Sequence, residues 1–205
     1  MKRISIQNGQ EEIVKTIKTG GVVVFPSDTI YGLICDATNK KAIANLFKIK
    51  ARNCQKPVSI FVNSISQAKK LVQINKKQEK FLKRVLPGKL TIILKAKYKF
   101  PKGIVGQNNG VGIRIPDYKP IISLLRKINI PLSATSANVS DLPGSGNPKE
   151  IIGQFRKRKN QPDLIVDAGM LKKSKPSTVI DLTGDELAIL REGAVNKKDL
   201  LKTLL

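Results

Sequence analysis

One stretch limits the folds open to this chain more than any other. Gly21-Val22-Val23-Val24 is a β-branched apolar run suited to a buried strand, and it breaks into Phe25-Pro26-Ser27-Asp28-Thr29-Ile30-Tyr31-Gly32-Leu33. Proline removes a ladder donor, while the hydroxyls, Asp, Tyr and Gly offer polar groups and little to pack. Five further polar islands stand at or just beyond the ends of apolar runs. They are Lys50-Ala51-Arg52, Arg114-Ile115-Pro116, Ser136-Ala137-Asn138, Ser177-Thr178-Val179 and Arg191-Glu192-Gly193. Strand ends and adjoining loops are where α/β proteins build ligand sites.

The pattern between the islands predicts strands over 22–25, 57–62, 90–94, 111–115, 131–134, 164–166, 178–182 and 187–190. Helical spacing predicts helices over 39–48 and 121–128, and a short one after Ser64 as N-cap, with Ile65, Ala68, Leu71 and Val72 on one face. Phe81, Leu82 and Val85 mark a helix stopped by Pro87-Gly88, and a last helix starts at Asn196. Residues 136–148 read as a Gly/Pro/Ser loop, and 107–110 and 140–147 read as the most mobile segments. Strands joined both by helices and by short turns favour an α/β (α+β) domain with a twisted mixed sheet and flanking helices. No composition shift marks a linker, so 1–205 reads as one domain.

Of the 38 basic residues 30 are Lys and 8 Arg, against 15 acids, for a formal charge of +23. Polyanionic partners follow naturally from such a charge. Residues 69–102 hold twelve Lys/Arg and one acid, Glu79; they form either a polyanion-binding surface or a solvated face. In so Lys-rich a chain an Arg signals need of the planar fork, and Arg52, Arg114 and Arg191 all fall within islands. No run is long enough to span a bilayer, and no apolar h-region follows the basic N-terminus, so a cytoplasmic protein with two reduced thiols, Cys35 and Cys54, is expected.

The absence of histidine excludes Ser-His-Asp and Cys-His nucleophile systems, no zinc-ligand spacing is present, and neither GxGxxG nor GxxxxGK[ST] occurs. Nucleotide chemistry here would rest on positioning and electrostatics, as adenylyl transfer does. Lys50, Arg52 and Lys56 place three cations in seven residues, which suits a triphosphate. Each island alone has a bland reading, whether turn, strand edge or snorkelling side chain. The ordered set carries the signal.

That set, with Leu86-Pro87-Gly88-Lys89-Leu90-Thr91, Gly112-Ile113-Arg114-Ile115-Pro116, Pro131-Leu132-Ser133-Ala134-Thr135-Ser136-Ala137-Asn138, Ser177-Thr178-Val179-Ile180-Asp181 and Leu190-Arg191-Glu192-Gly193-Ala194, resembles the YrdC/TsaC family of threonylcarbamoyl-AMP synthases over residues 20–194. The resemblance implies a YrdC-like fold around a concave basic cavity. It implies condensation of L-threonine, bicarbonate and ATP to threonylcarbamoyl-AMP and pyrophosphate, for modification of adenosine 37 in tRNA. Thr29, Tyr31, Arg114 and Ser177 would then serve L-threonine. Lys50, Arg52, Lys56, Ser136, Asn138, Gly144 and Arg191 would serve ATP, with Mg²⁺ accompanying the nucleotide and no protein metal site. No residue is assigned as a general base. Downstream tRNA threonylcarbamoyl-transfer proteins are implied partners, with tRNA or double-stranded RNA as a further one. Many relatives carry Thr and Glu where this chain has Ser27 and Asp28, and some carry His at Phe61. The chain resembles the short, single-domain form. The alternative from a different class is a non-catalytic RNA-binding module, motivated by charge and opposed by the 4% aromatic content.

Overall fold

The computed structural model describes residues 1–7, 9–184 and 186–204. Among these, ten strands form a single mixed sheet in the order β1-β8-β2-β3-β7-β4-β6-β5-β9-β10. The strands are β1 Lys2–Ser5, β2 Val23–Phe25, β3 Gly32–Ile34, β4 Ser59–Phe61, β5 Leu90–Lys95, β6 Gly110–Arg114, β7 Leu132–Ser136, β8 Leu164–Asp167, β9 Thr178–Asp181 and β10 Ala188–Arg191. The helices are α1 Gln10–Lys18, α2 Lys40–Lys50, α3 Ile65–Leu71, α4 Lys76–Val85, α5 Lys119–Ile128, α6 Pro148–Phe155 and α7 Lys197–Leu204. The expected mixed sheet is present: β2 pairs antiparallel with β3 but parallel with β8, and β6 pairs parallel with β4 but antiparallel with β5.

Four elements were not anticipated. β1 lies at an edge, with two adjacent cations and a single apolar residue, Ile4, so its pattern is weak, and it forms only by parallel pairing with β8. β3 hides inside the first polar island: Val23 pairs with Ile34 and Phe25 with Gly32, so residues 26–31 are a hairpin loop. α1 and α6 have only two or three buried apolar residues each, Ile13 and Ile17 in one, Pro148, Ile151 and Phe155 in the other.

Period-two alternation sends side chains to opposite faces of the sheet. Val24, Leu33, Ile60, Ile92, Ile113 and Ile180 pack in one core with α2, α3, α4 and α6. Val23, Phe25, Ile34, Phe61 and Leu132 face the other way, against Ile13 and Ile17 of α1 and Leu124, Leu125 and Ile128 of α5. That second face changes character across the sheet. Leu132 pairs with Phe61 and Phe61 with Arg114, and the next positions over β6, β5 and β9 are Gly112, Thr91, Val179 and Asp181. Glycines, hydroxyls and charges interrupt Ile93 and Val179 there, so no continuous apolar stripe is offered to a helix, and a cavity lies there instead. Cys35 and Cys54 are both free, and burial pushes the Cys35 thiol up to about 12, so it is inert.

Candidate active site

The cavity has a volume of about 1050 Å³, at the upper end of the roughly 300–1,000 Å³ common for ligand sites. Among the described residues its wall holds the cations Arg52, Lys56, Arg114 and Arg191 against one carboxylate, Asp181. Its floor is deep because β6 contributes Gly112, where a Cβ would collide with Ser59 Oγ and sit 3.2 Å from Thr91.

At one end Arg114 leaves the last position of β6, 7% exposed. Its Nη2 donates to Asp28 Oδ1 and, at 3.2 Å, to Thr29 Oγ1. Its guanidinium lies 5.5 Å from the Phe61 ring centroid. The aromatic face at position 61 therefore supports the fork that the site turns on. Burial pulls the Arg114 pKa down, Asp28 pushes it up and Arg191 pulls it down again. Thr29 is further held by Ser27 Oγ at 3.1 Å. Across the floor, the Thr91 and Ser177 hydroxyls bond at 2.8 Å, and Arg191 Nη2 donates to the Ser177 carbonyl at 2.8 Å. Thr29, Arg114, Ser177 and Arg191 are thus brought together.

The other end is set by how α2 stops. Asn39 caps its start, accepting from Lys41 N and Ala42 N. Ala51 is left-handed (φ 50°, ψ 43°), and Arg52 N closes onto Phe47 O at 3.1 Å, which turns the chain toward the cavity. Arg52 Nε then donates to the Lys56 carbonyl at 2.8 Å, fixing the fork beside Lys56. Burial lowers the Arg52 pKa. Ser136 and Gly144 also reach the wall, and a Cβ on Gly144 would lie 2.7 Å from Ile30.

Two of the expected ligand contacts sit differently. Lys50 is not on the cavity wall; it is 1% exposed, and its ammonium donates to Ser136 O (2.6 Å), Asn138 O (3.0 Å) and Asn138 Oδ1 (2.9 Å). An ammonium has three N–H donors, so a phosphate could be met only by giving one of these up. Tyr31 is among the cavity-lining residues, but its hydroxyl donates to Gly169 O at 2.8 Å and accepts from Ala168 N at 3.0 Å. Its phenol pKa is raised, chiefly by burial. Asn138 does line the cavity, with Nδ2 donating to the Val139 carbonyl at 3.0 Å and Oδ1 accepting from Ser136 Oγ and from the Lys50 ammonium.

Residues 140–147, read from the sequence as mobile, are tied down. Tyr31 N donates to Ser145 O at 3.2 Å, Leu171 N to Gly146 O at 2.9 Å and Gln154 Nε2 to Pro143 O at 2.9 Å. Tyr31 therefore anchors this loop through its backbone and the 168–176 segment through its hydroxyl. Tyr31→Phe keeps the ring and loses two hydrogen bonds, so tryptic cleavage after the exposed Lys172 and Lys173 should quicken by about tenfold. An unchanged cleavage rate would remove the anchoring role.

Sequence reasoning missed Asp28 as the partner of Arg114, Thr91 as the partner of Ser177, and the cavity residues Ser59, Ile93 and Asp181. Period two on β5 and β6, with polar or glycine positions at 91, 110, 112 and 114, was the signal available for several of them.

Residues 15–193 match a family model for Sua5, YciO and YrdC proteins described as "Telomere recombination". The chain is 39% identical over 186 residues to a protein of Methanocaldococcus jannaschii provisionally named threonylcarbamoyl-AMP synthase, covering 90% of this chain and 86% of that one. It is 30% identical over 189 residues to the threonylcarbamoyl-AMP synthase of Pyrococcus abyssi, covering 92% of this chain and 55% of the longer relative. The fold matches P. abyssi Sua5 complexed with L-threonine at a TM-score of 0.88 and 29% identity, over 98% of this chain and 59% of that one. It matches Escherichia coli YciO at a TM-score of 0.84 and 26% identity, over 97% of each.

Proposed function

The chain belongs to the Sua5/YciO/YrdC family, and on that premise we propose that it is an L-threonylcarbamoyladenylate synthase. It condenses L-threonine, bicarbonate and ATP, releasing pyrophosphate and water. One new C–N bond joins the threonine nitrogen to the bicarbonate carbon, and one new P–O bond joins a carbamate oxygen to the α-phosphorus as pyrophosphate leaves. The observation that carries this reading is a single cavity with a guanidinium fork beside Thr29 at one end, Arg114, and a fork with an ammonium at the other, Arg52 and Lys56. An amino acid and a triphosphate need those two ends.

In this reading Thr29, Arg114 and Ser177 meet the threonine, with the Tyr31 ring against it. Arg52, Lys56, Ser136 and Arg191 meet ATP, the 144–146 backbone closes beside it, and Lys50 and Asn138 keep Ser136 in place. Catalysis comes from holding the partners in line and stabilising phosphate charge. Mg²⁺ would accompany ATP, held mostly by phosphates and water. Among the described residues Asp181 is the carboxylate on the wall, which offers a hard cation one anionic protein ligand and leaves the phosphates to supply others.

The single sheet supports reading 1–205 as one domain. Among the described residues no helix is long and apolar enough to cross a membrane, and we place the reaction in the cytoplasm, where tRNA threonylcarbamoyl-transfer proteins would take the product. The RNA-module alternative is not favoured, because it leaves the polar cavity without a purpose. Purified protein with ATP, bicarbonate, L-threonine and pyrophosphatase should yield threonylcarbamoyl-AMP by mass spectrometry, with much less product from L-serine. Absence of product with ATP binding intact would overturn the assignment.

A further inference from the structure

The geometry points to Asp28 as the positioning residue that orients Arg114 for the α-carboxylate of the amino-acid substrate, an inference that rests on the reading above. Asp28 is not on the cavity wall, whereas Arg114 is. The two side chains form an ion pair only 4% and 8% exposed. Asp28 is itself immobilised, because its Oδ2 accepts from the Asp117 backbone N–H at 3.1 Å. Asp117 follows directly on the Arg114-Ile115-Pro116 segment, so the carboxylate is fastened to the chain that carries the arginine. It cannot swing aside as a gate without losing that bond.

Three contacts then hold the guanidinium in one place: Asp28 and Thr29 on Nη2 and the Phe61 ring against the guanidinium. A buried guanidinium without a counter-charge would turn toward solvent or another acid. Asp28 prevents this by supplying the counter-charge, and its field opposes the effect of burial on Arg114. It acts through Arg114 and touches no substrate. A rigid fork selects by geometry as well as charge, so Asp28 favours a planar carboxylate on the amino acid over an uncharged group at that position.

Asp28→Asn is close to isosteric and removes the charge. By calorimetry its affinity for L-threonine should fall by about tenfold or more, while ATP affinity stays within about twofold. Asp28→Glu restores the carboxylate and should recover most threonine affinity. L-Threonine methyl ester, which lacks the carboxylate, should bind wild type and Asp28→Asn equally weakly. Equal losses of threonine and ATP affinity would mark a merely structural residue and overturn the inference, as would unchanged threonine affinity. If Asp28→Asn does not fold, Asp28→Glu decides: near-wild-type binding of both ligands supports the role, and parallel loss of both overturns it. Wild type that binds no threonine would instead overturn the functional reading.

Discussion

Replacing Arg114 with Ala should raise the threonine concentration needed for half-maximal turnover by about a hundredfold, while the ATP requirement moves by less than about threefold. The size follows from losing a charge-assisted contact, about 2–3 kcal/mol. The asymmetry follows from place, because Arg52 and Lys56 at the other end do not touch Arg114. The substitution also strands Asp28, whose side chain is 4% exposed, without its counter-ion. Breaking such a pair costs about 3–5 kcal/mol of stability. Arg114→Ala with Asp28→Ala removes the stranded charge, so it should regain stability without regaining threonine binding. Steady-state kinetics and denaturant melts on both variants separate the two effects. Equal rises in both requirements would remove the carboxylate role from Arg114.

Lys50→Met should damage the nucleotide end as severely, although Lys50 never reaches the cavity. Methionine matches the stem in volume, so little packing is lost. What goes is the knot that ties Ser136 O, Asn138 O and Asn138 Oδ1 to one ammonium. Ser136 O keeps a bond from Asn138 N, but the Asn138 carbonyl loses its donor, at a cost of about 1–3 kcal/mol. Displacing Ser136 by even an ångström can cost on the order of 10²-fold in rate.

The same residue gives a pH signature. Burial, with Arg52 adding to it, pushes Lys50 from 10.5 down to about 7. In the unfolded chain it keeps its ordinary pKa. Between about 7 and 10.5 the folded state therefore binds fewer protons, and folding stability from this group rises with pH; below 7 both states are charged and the contribution is flat. The neutral amine has two N–H donors for three acceptors, so the knot loosens over the same range. Wild type should gain stability relative to Lys50→Met as pH rises above 7, while its advantage in turnover shrinks. Stability and activity that rise together would contradict this account.

Much of the sheet was legible because the strands are short apolar runs bounded by Pro, Gly and polar islands. β2, β5, β6 and β7 carry their own pattern. β3 did not, since its three residues continue a polar island and become a strand only by pairing with β2 and Ser136-end residues of β7. The residue types of the site were legible too, because three arginines in a lysine-rich chain mark positions that need a fork. Their partners were not: Asp28 lies 86 residues from Arg114, and Lys50 lies 86 from Ser136.

By itself, then, the sequence determined a mixed sheet, polar strand ends and the three forks, because periodicity and residue chemistry are local properties. Only the tertiary structure decided that Arg114 shares its charge with Asp28, that Lys50 supports the cavity from beneath, and that the Tyr31 hydroxyl fastens a loop. Burial and long-range pairing settle how each polar group is satisfied, and neither is written in the spacing of residues along the chain.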